Sequence, residues 1–340
     1  HTMQNESVQN ASLALFGAFG VAFYDGEDTS IIRVDTCTIK IVLTMMLLAS
    51  MVLSVVGNVG TCTVIARDRA MRTPTNCYLA NIAITDLLIS LFIPIEIYVI
   101  WIPDFYPLGE VGCRMHFIIL DVLSNCNLLT ITAFTIERYV VVKKPFLRQK
   151  MLLNSRVFKI LGVIWMISLS FCLPDIFYID LLERKKYVFC YYSLSYIPSI
   201  MVGVEMFVFY FIPMTTVIVL YLLITRHLRS AHAKLRDSPV NGRQNRDKAV
   251  RMLAAVASSY FIFWTPYCVI RIMMIYPDFN YEDNQTAWNV VTYFCYIGYM
   301  STAVNPLIYS LMSRKFRQAF KVSVSACCFI VGHHRYSYRR

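Results

Sequence analysis

Seven mostly apolar runs, each of about 20 or more residues, dominate this chain, and each can carry an α-helix across a hydrocarbon core about 30 Å thick. They fall at roughly Lys40–Ala66, Asn76–Trp101, Val111–Val142, Val157–Ile176, Ile197–Ile224, Ala249–Ile275 and Ala287–Met312. Composition agrees. Only 16% of the 340 residues are charged and mean hydropathy is +0.53, where a soluble protein carries about 25% charged residues. The expected fold is an all-α membrane protein, a seven-transmembrane helix bundle. A short amphipathic helix after the seventh run (313–323) places Phe316 and Phe320 among Arg314, Lys315, Arg317 and Lys321 and is expected to lie in the membrane interface. Residues 1–38 then form an extracellular segment, 39–312 the bundle and 324–340 a cytoplasmic tail.

The formal net charge of +11 would suit nucleic acid, but the positions of the charges argue for membrane topology instead. Arg67, Arg69 and Arg72 follow the first run, and Lys143, Lys144, Arg148 and Lys150 follow the third. Arg226, Arg229, Lys234, Arg236, Arg243, Arg246 and Lys248 follow the fifth. The alternate connections carry Asp104, Glu110, Asp175, Asp180, Glu183, Asp278, Glu282 and Asp283. Basic loops stay in the cytoplasm, so the N-terminus is expected outside and the chain in the plasma membrane. Sequons at Asn5, Asn10 and Asn284 fall on the same outer side. Most cysteines lie inside apolar runs, where a thiol behaves as a small hydrophobe, and no metal-binding spacing occurs. The apolar stretch Ala11–Phe23 is too short to span and lacks the basic start of a signal peptide.

A charge at mid-helix costs about 2.5–3.5 kcal/mol on insertion scales, so Asp86 in NIAITDLLISLF asks for a reason. It is either a packing acid satisfied by neighbours, or a cation (sodium) site shared with Asn58, Asn127, Ser301, Thr302 and Asn305. Pro213, Pro266 and Pro306 remove backbone hydrogen bonds from the fifth, sixth and seventh runs and are expected to kink them. Kinked helices around buried polar groups can hold two packings of similar energy.

Asn58 in GNVG, Asp86 in NIAITD, Glu137-Arg138-Tyr139, Trp165, Phe263-Trp264-Thr265-Pro266 and Asn305-Pro306-Leu307-Ile308-Tyr309 occur in order, one set to a run. Together they resemble the signatures of the rhodopsin-like G-protein-coupled receptors, over roughly residues 38–322. The resemblance implies that Arg138 lies at the inner end of the third helix, paired at rest with Glu137. Activation would free it while Tyr221 and Tyr309 swing inward, with Tyr139, Pro213, Tyr260, Trp264, Pro266, Asn305 and Pro306 as further parts of the switch. Arg138, Pro145 and Phe146 would meet the G protein. The resemblance further implies a Cys113–Cys190 disulfide on the oxidising side, palmitoylation at Cys327 and Cys328, and heterotrimeric G protein, arrestin and lipid as partners.

The residues facing the cavity narrow the ligand. Tyr299 stands where opsins carry the retinal lysine, and Leu120 where monoamine receptors carry an aspartate; the acid here is Asp121, about 100° around the helix. Glu96, Asp121 and Arg271 resemble the peptide-receptor branch containing the neuromedin U, ghrelin, neurotensin and thyrotropin-releasing-hormone receptors. With Leu120, Tyr293 and Tyr296 they are expected to receive a neuropeptide with a basic side chain and an amidated or carboxylate end, and the same branch suggests coupling to the Gq class. Asp121 and Arg271 could equally form a structural salt bridge. Three positions depart from the family: Tyr260 replaces a phenylalanine, Phe263 a cysteine, and Arg246 an inner acid that often partners the third-helix arginine. Loss of that acid predicts raised basal signalling, and a ligand-free assay no higher than mock-transfected cells would refute it. A lipid or small-molecule ligand on the same fold stays open. A transporter is disfavoured by the lack of half-matching repeats. An enzyme is not expected, since no nucleophile, base and orienting group occur at suggestive spacing.

Overall fold

The computed structural model describes residues 13–16, 21–24, 36–143, 154–184, 187–192, 199–234, 240–273 and 293–312. Its helices are α1 (Cys37–Arg67), α2 (Pro74–Ser90, resumed over Ile93–Trp101), α3 (Gly109–Lys143) and α4 (Asn154–Cys172). Then come α5 (Ser199–Met206, a π turn Phe207–Phe211, and Ile212–Lys234), α6 (Val240–Met273) and α7 (293–298, resumed over Ser301–Met312). Among the described residues, the helical stretches of α1 to α5 are long and apolar enough to cross a membrane.

The helices are amphipathic inside out. Along α1, Leu43, Leu47, Ser50, Ser54, Asn58 and Thr61 are buried, whereas Val52, Val55, Val56 and Val59 are exposed. In lipid the apolar side faces outward and the small and polar side packs against neighbours. Packed against α2, α4, α5 and α6, α3 has 72% of its apolar window buried, against 22% for α1. Gly109 opens α3 at φ +65°, a conformation that suits glycine.

The prolines shape the bundle in different ways. Pro94 sits at the start of the second half of α2, beyond a break at Leu91–Phe92. Before Pro213 the helix widens into the π turn, one of the known ways to accommodate a lost backbone donor. Pro306 lies within α7 and has no N–H to offer the Thr302 carbonyl, four residues back. Asn58 Nδ2 donates to that carbonyl across the bundle at 3.0 Å. The same approach of α1 to α7 leaves no room at Gly57, where an added Cβ would lie 2.5 Å from Pro306 Cβ. Gly57→Ala is therefore expected to cost about 1–3 kcal/mol by overpacking, read as a lowered thermal midpoint in detergent.

The end of the bundle at which α3 begins carries strand pairs that the helical expectation did not contain. β3 (Ile179–Arg184) and β4 (Tyr187–Tyr192) form an antiparallel hairpin with Leu181 opposite Cys190. The Cys113–Cys190 disulfide ties it to the outer end of α3. Tyr106 N donates to Val188 O at 2.8 Å and Val188 N to Asp104 O at 2.9 Å, fastening the hairpin to the α2–α3 loop. The stretch Ala11–Phe23, which no spanning or signal pattern accounted for, contributes β1 (Leu13–Phe16) and β2 (Val21–Tyr24). These pair as a second hairpin, with β1 alongside β4.

Candidate functional site

Toward the end of the bundle that bears the Cys113–Cys190 disulfide, three carboxylates from separate elements come together. Asp121 of α3, Asp175 of the 3-10 turn after α4 and Glu205 of α5 each offer an oxygen within 4.8 Å of the others. Tyr267 of α6 donates to Asp121 Oδ1 at 2.8 Å. Glu96 of α2 stands apart and is only 1% exposed. Glu96, one of the expected ligand-binding residues, is enclosed between helices: Tyr299 of α7 donates to Oε1 at 3.0 Å and His116 Nε2 lies 3.5 Å from the same oxygen. His116 is itself held, stacking on Phe92 and sharing a 2.8 Å hydrogen bond with the Tyr106 hydroxyl. Leu120 and Tyr296 are buried beside this region and Tyr293 is half-buried. Arg271 belongs to α6, but its side chain lies outside the described residues.

Sequence reasoning missed Asp175, Glu205 and His116 as site residues. Glu205 carried a usable signal, an acid inside the apolar run MVGVEMF, by the same logic that singled out Asp86. Asp175 was read only as an outer-side charge, and His116 carried no pattern.

At mid-bundle, Asp86 is buried and both its oxygens are taken. Asn127 Nδ2 donates to Oδ1 at 3.0 Å and Asn305 Nδ2 to Oδ2 at 2.9 Å. Thr85 donates its hydroxyl to Asn127 Oδ1, and Ser90 donates to Ser54 Oγ of α1 at 2.7 Å. Ser301 and Thr302 are buried on α7. A sodium ion asks for oxygen ligands, yet the neighbours of Asp86 turn amide N–H groups toward it. As these amides stand, the donor set does not fit the ion.

Beside this centre, Tyr260 stacks on Trp264 with ring centroids 5.6 Å apart and donates to the Ser124 carbonyl of α3 at 2.8 Å. A phenylalanine could not make that bond. Tyr260→Phe should remove about 1 kcal/mol of α3–α6 attachment, read as a lowered thermal midpoint in detergent. Trp165 Nε1 donates to Asn81 Oδ1 at 3.0 Å, and Asn81 Nδ2 donates to Thr130 Oγ1 at 3.0 Å, joining α4, α2 and α3.

At the inner end, the Glu137 carboxylate accepts from Arg156 of α4 at 2.8 Å and from the Tyr78 hydroxyl of α2 at 3.0 Å. This modifies the expected pairing of neighbours. Glu137 is drawn toward α4 and α2, while the Arg138 guanidinium lies over the Phe134 ring, 5.0 Å from its centroid. Tyr139 accepts a 3.0 Å hydrogen bond from Lys143, and Tyr221 is half-buried on α5. The side chains of Tyr309 and Arg246, Pro145, Phe146, the sequons at Asn5, Asn10 and Asn284, the 313–323 segment, and Cys327 and Cys328 lie outside the described residues.

Comparisons with known proteins agree with this architecture. Residues 57–309 match the model of the family described as 7 transmembrane receptor (rhodopsin family). Mouse neuromedin-U receptor 2 is 32% identical over 82% of this chain and 73% of that receptor. The Drosophila melanogaster pyrokinin-1 receptor is 30% identical over 84% of this chain and 80% of its own. The chicken thyrotropin-releasing hormone receptor is 30% identical over 84% and 79% respectively. With the disulfide-pinned outer hairpin, the Asp86 centre and the three proline-shaped helices in place, the chain belongs to the rhodopsin family of seven-transmembrane receptors.

Proposed function

We propose that this chain is a plasma-membrane receptor, N-terminus outside, for an extracellular neuropeptide with a basic side chain and an amidated end. It activates a heterotrimeric G protein, of the Gq class on the strength of its relatives, and is a target for arrestin. The observation that carries the reading is the grouping of Asp121, Asp175 and Glu205 at the outer end, with Glu96 behind them. Such a group attracts a cation and can accept charge-assisted hydrogen bonds from it. Relatives named for neuromedin U, pyrokinin and thyrotropin-releasing hormone support a peptide as its source.

The mechanism follows from which helix holds which acid. Tyr267 joins α6 to Asp121, and Tyr299 joins α7 to Glu96. The same two helices carry the deeper contacts, Tyr260 to Ser124 on α6 and Asn305 to Asp86 on α7. A peptide cation that takes over Asp121 or Glu96 competes with those tyrosines and loosens α6 and α7 at their outer ends. Only a ligand that binds the loosened arrangement more tightly shifts the population. At the inner end, the change exposes Arg138 to the G protein.

Cells expressing the chain, screened for calcium or inositol-phosphate responses to amidated neuropeptides, test the reading. A response confined to peptides with a basic residue is expected. A response to lipids alone would replace the peptide with a lipid ligand.

A further inference from the structure

Between α3, α5 and α6, in the inner half of the bundle, lies a cavity of about 120 Å³ walled by Thr135, Val217, Tyr221, Ala254, Ala257 and Phe261. It exists because α6 presents small side chains where α5 turns branched ones toward it. Its floor is sealed: Thr135, Val217, Ala257 and Phe261 are all buried. Its rim on α5, Ile218 and Leu222, is 46% and 50% exposed, so the opening is sideways, toward the bilayer. The Thr135 hydroxyl donates to the Ile131 carbonyl at 2.8 Å, leaving at most the Tyr221 and Ser258 hydroxyls to face the space. An apolar void of about 150 Å³ stays dry and accepts an apolar guest.

We propose that this cavity receives a short segment of one acyl chain of an inner-leaflet phospholipid, and that the inserted chain favours the resting receptor. The lateral mouth and apolar walls fit a hydrocarbon chain, and the volume is small for a fused-ring sterol. The regulatory half rests on the receptor reading above. Tyr221 forms one wall, and its inward turn on activation would sweep through the space. Chain and turned tyrosine therefore exclude each other, so any condition that turns Tyr221 inward expels the chain, and the chain opposes the turn.

The test uses the full chain in phosphatidylcholine nanodiscs doped with a phosphatidylcholine bearing a mid-chain diazirine, with the free diazirine fatty acid in a parallel arm. After irradiation, adducts from the phospholipid should fall on residues 217–222 and 254–261 several-fold above Val52, Val55, Val56 and Val59, which are exposed on α1. Ala257→Phe and Val217→Phe fill the void from opposite walls and should reduce labelling to the α1 level. Ile262→Phe, on the lipid face outside the void, should not. Nucleotide-free G protein should lower labelling of the wild-type chain several-fold. Labelling no higher than at α1, labelling untouched by both filling variants, or adducts from the fatty acid alone would overturn the site. G protein that binds without changing the labelling would overturn the regulatory half. G protein that fails to bind would count against the receptor reading while the resting labelling still decides the site.

Discussion

Asp86→Leu is expected to lower the thermal midpoint sharply and to abolish peptide-evoked nucleotide exchange. Leucine keeps the same branched arrangement of side-chain heavy atoms but accepts nothing. The Nδ2 groups of Asn127 and Asn305, which now donate to Asp86 at 3.0 and 2.9 Å, would be left in an apolar interior. Each stranded buried donor costs about 1–3 kcal/mol, so the pair is worth about 2–6 kcal/mol. Beyond stability, Asp86 is where α2, α3 and α7 meet, and α7 would lose its tie at the turn before Pro306. Asp86→Asn keeps one acceptor and should fall between leucine and wild type. Thermal unfolding in detergent and exchange in nanodiscs, on the same preparations, separate the two effects. A leucine variant as stable and as responsive as wild type would show that the acid is mere filling.

Asp121→Asn should weaken peptide potency about 10- to 100-fold while leaving surface expression intact, since a hydrogen bond to a charged group is worth about 1.5–3 kcal/mol. The substitution keeps the shape and an oxygen for the Tyr267 hydroxyl to bond, so the resting contact survives while the charge that draws the peptide is lost. Tyr267→Phe makes the converse change. It removes the resting claim on Asp121 and leaves the carboxylate, so the response should appear at lower peptide concentration. Concentration–response curves for both variants decide the point. If the two substitutions shift potency in the same direction, competition between tyrosine and ligand is not how the signal starts.

The parts of this receptor that sequence made legible share one physical cause. Apolar runs must cross lipid as helices because an unpaired backbone group there is costly, and the helices were found where those runs lie, with α5 and α6 extending beyond them at their inner ends, to Lys234 and from Val240. Asp86 stood out because an acid in such a run needs partners, and Asn127 and Asn305 are those partners. What escaped depends on meetings between distant segments. Arg156 is one basic residue among several around the start of α4, and only packing brings it to Glu137. Glu96 looked like a pocket acid, and only the approach of Tyr299 and His116 shows how enclosed it is. The two hairpins were illegible for another reason. Segments of 4 and 6 residues carry little periodic signal, and β3–β4 is further held by the Cys113–Cys190 disulfide.

Exchange of guanine nucleotide on purified Gα, catalysed by the purified chain in nanodiscs, tests the central claim most directly. An amidated basic peptide added from outside should accelerate exchange in the wild type and should need far higher concentration in Asp121→Asn. Exchange that no such peptide alters, while the protein remains folded and inserted, would contradict the account.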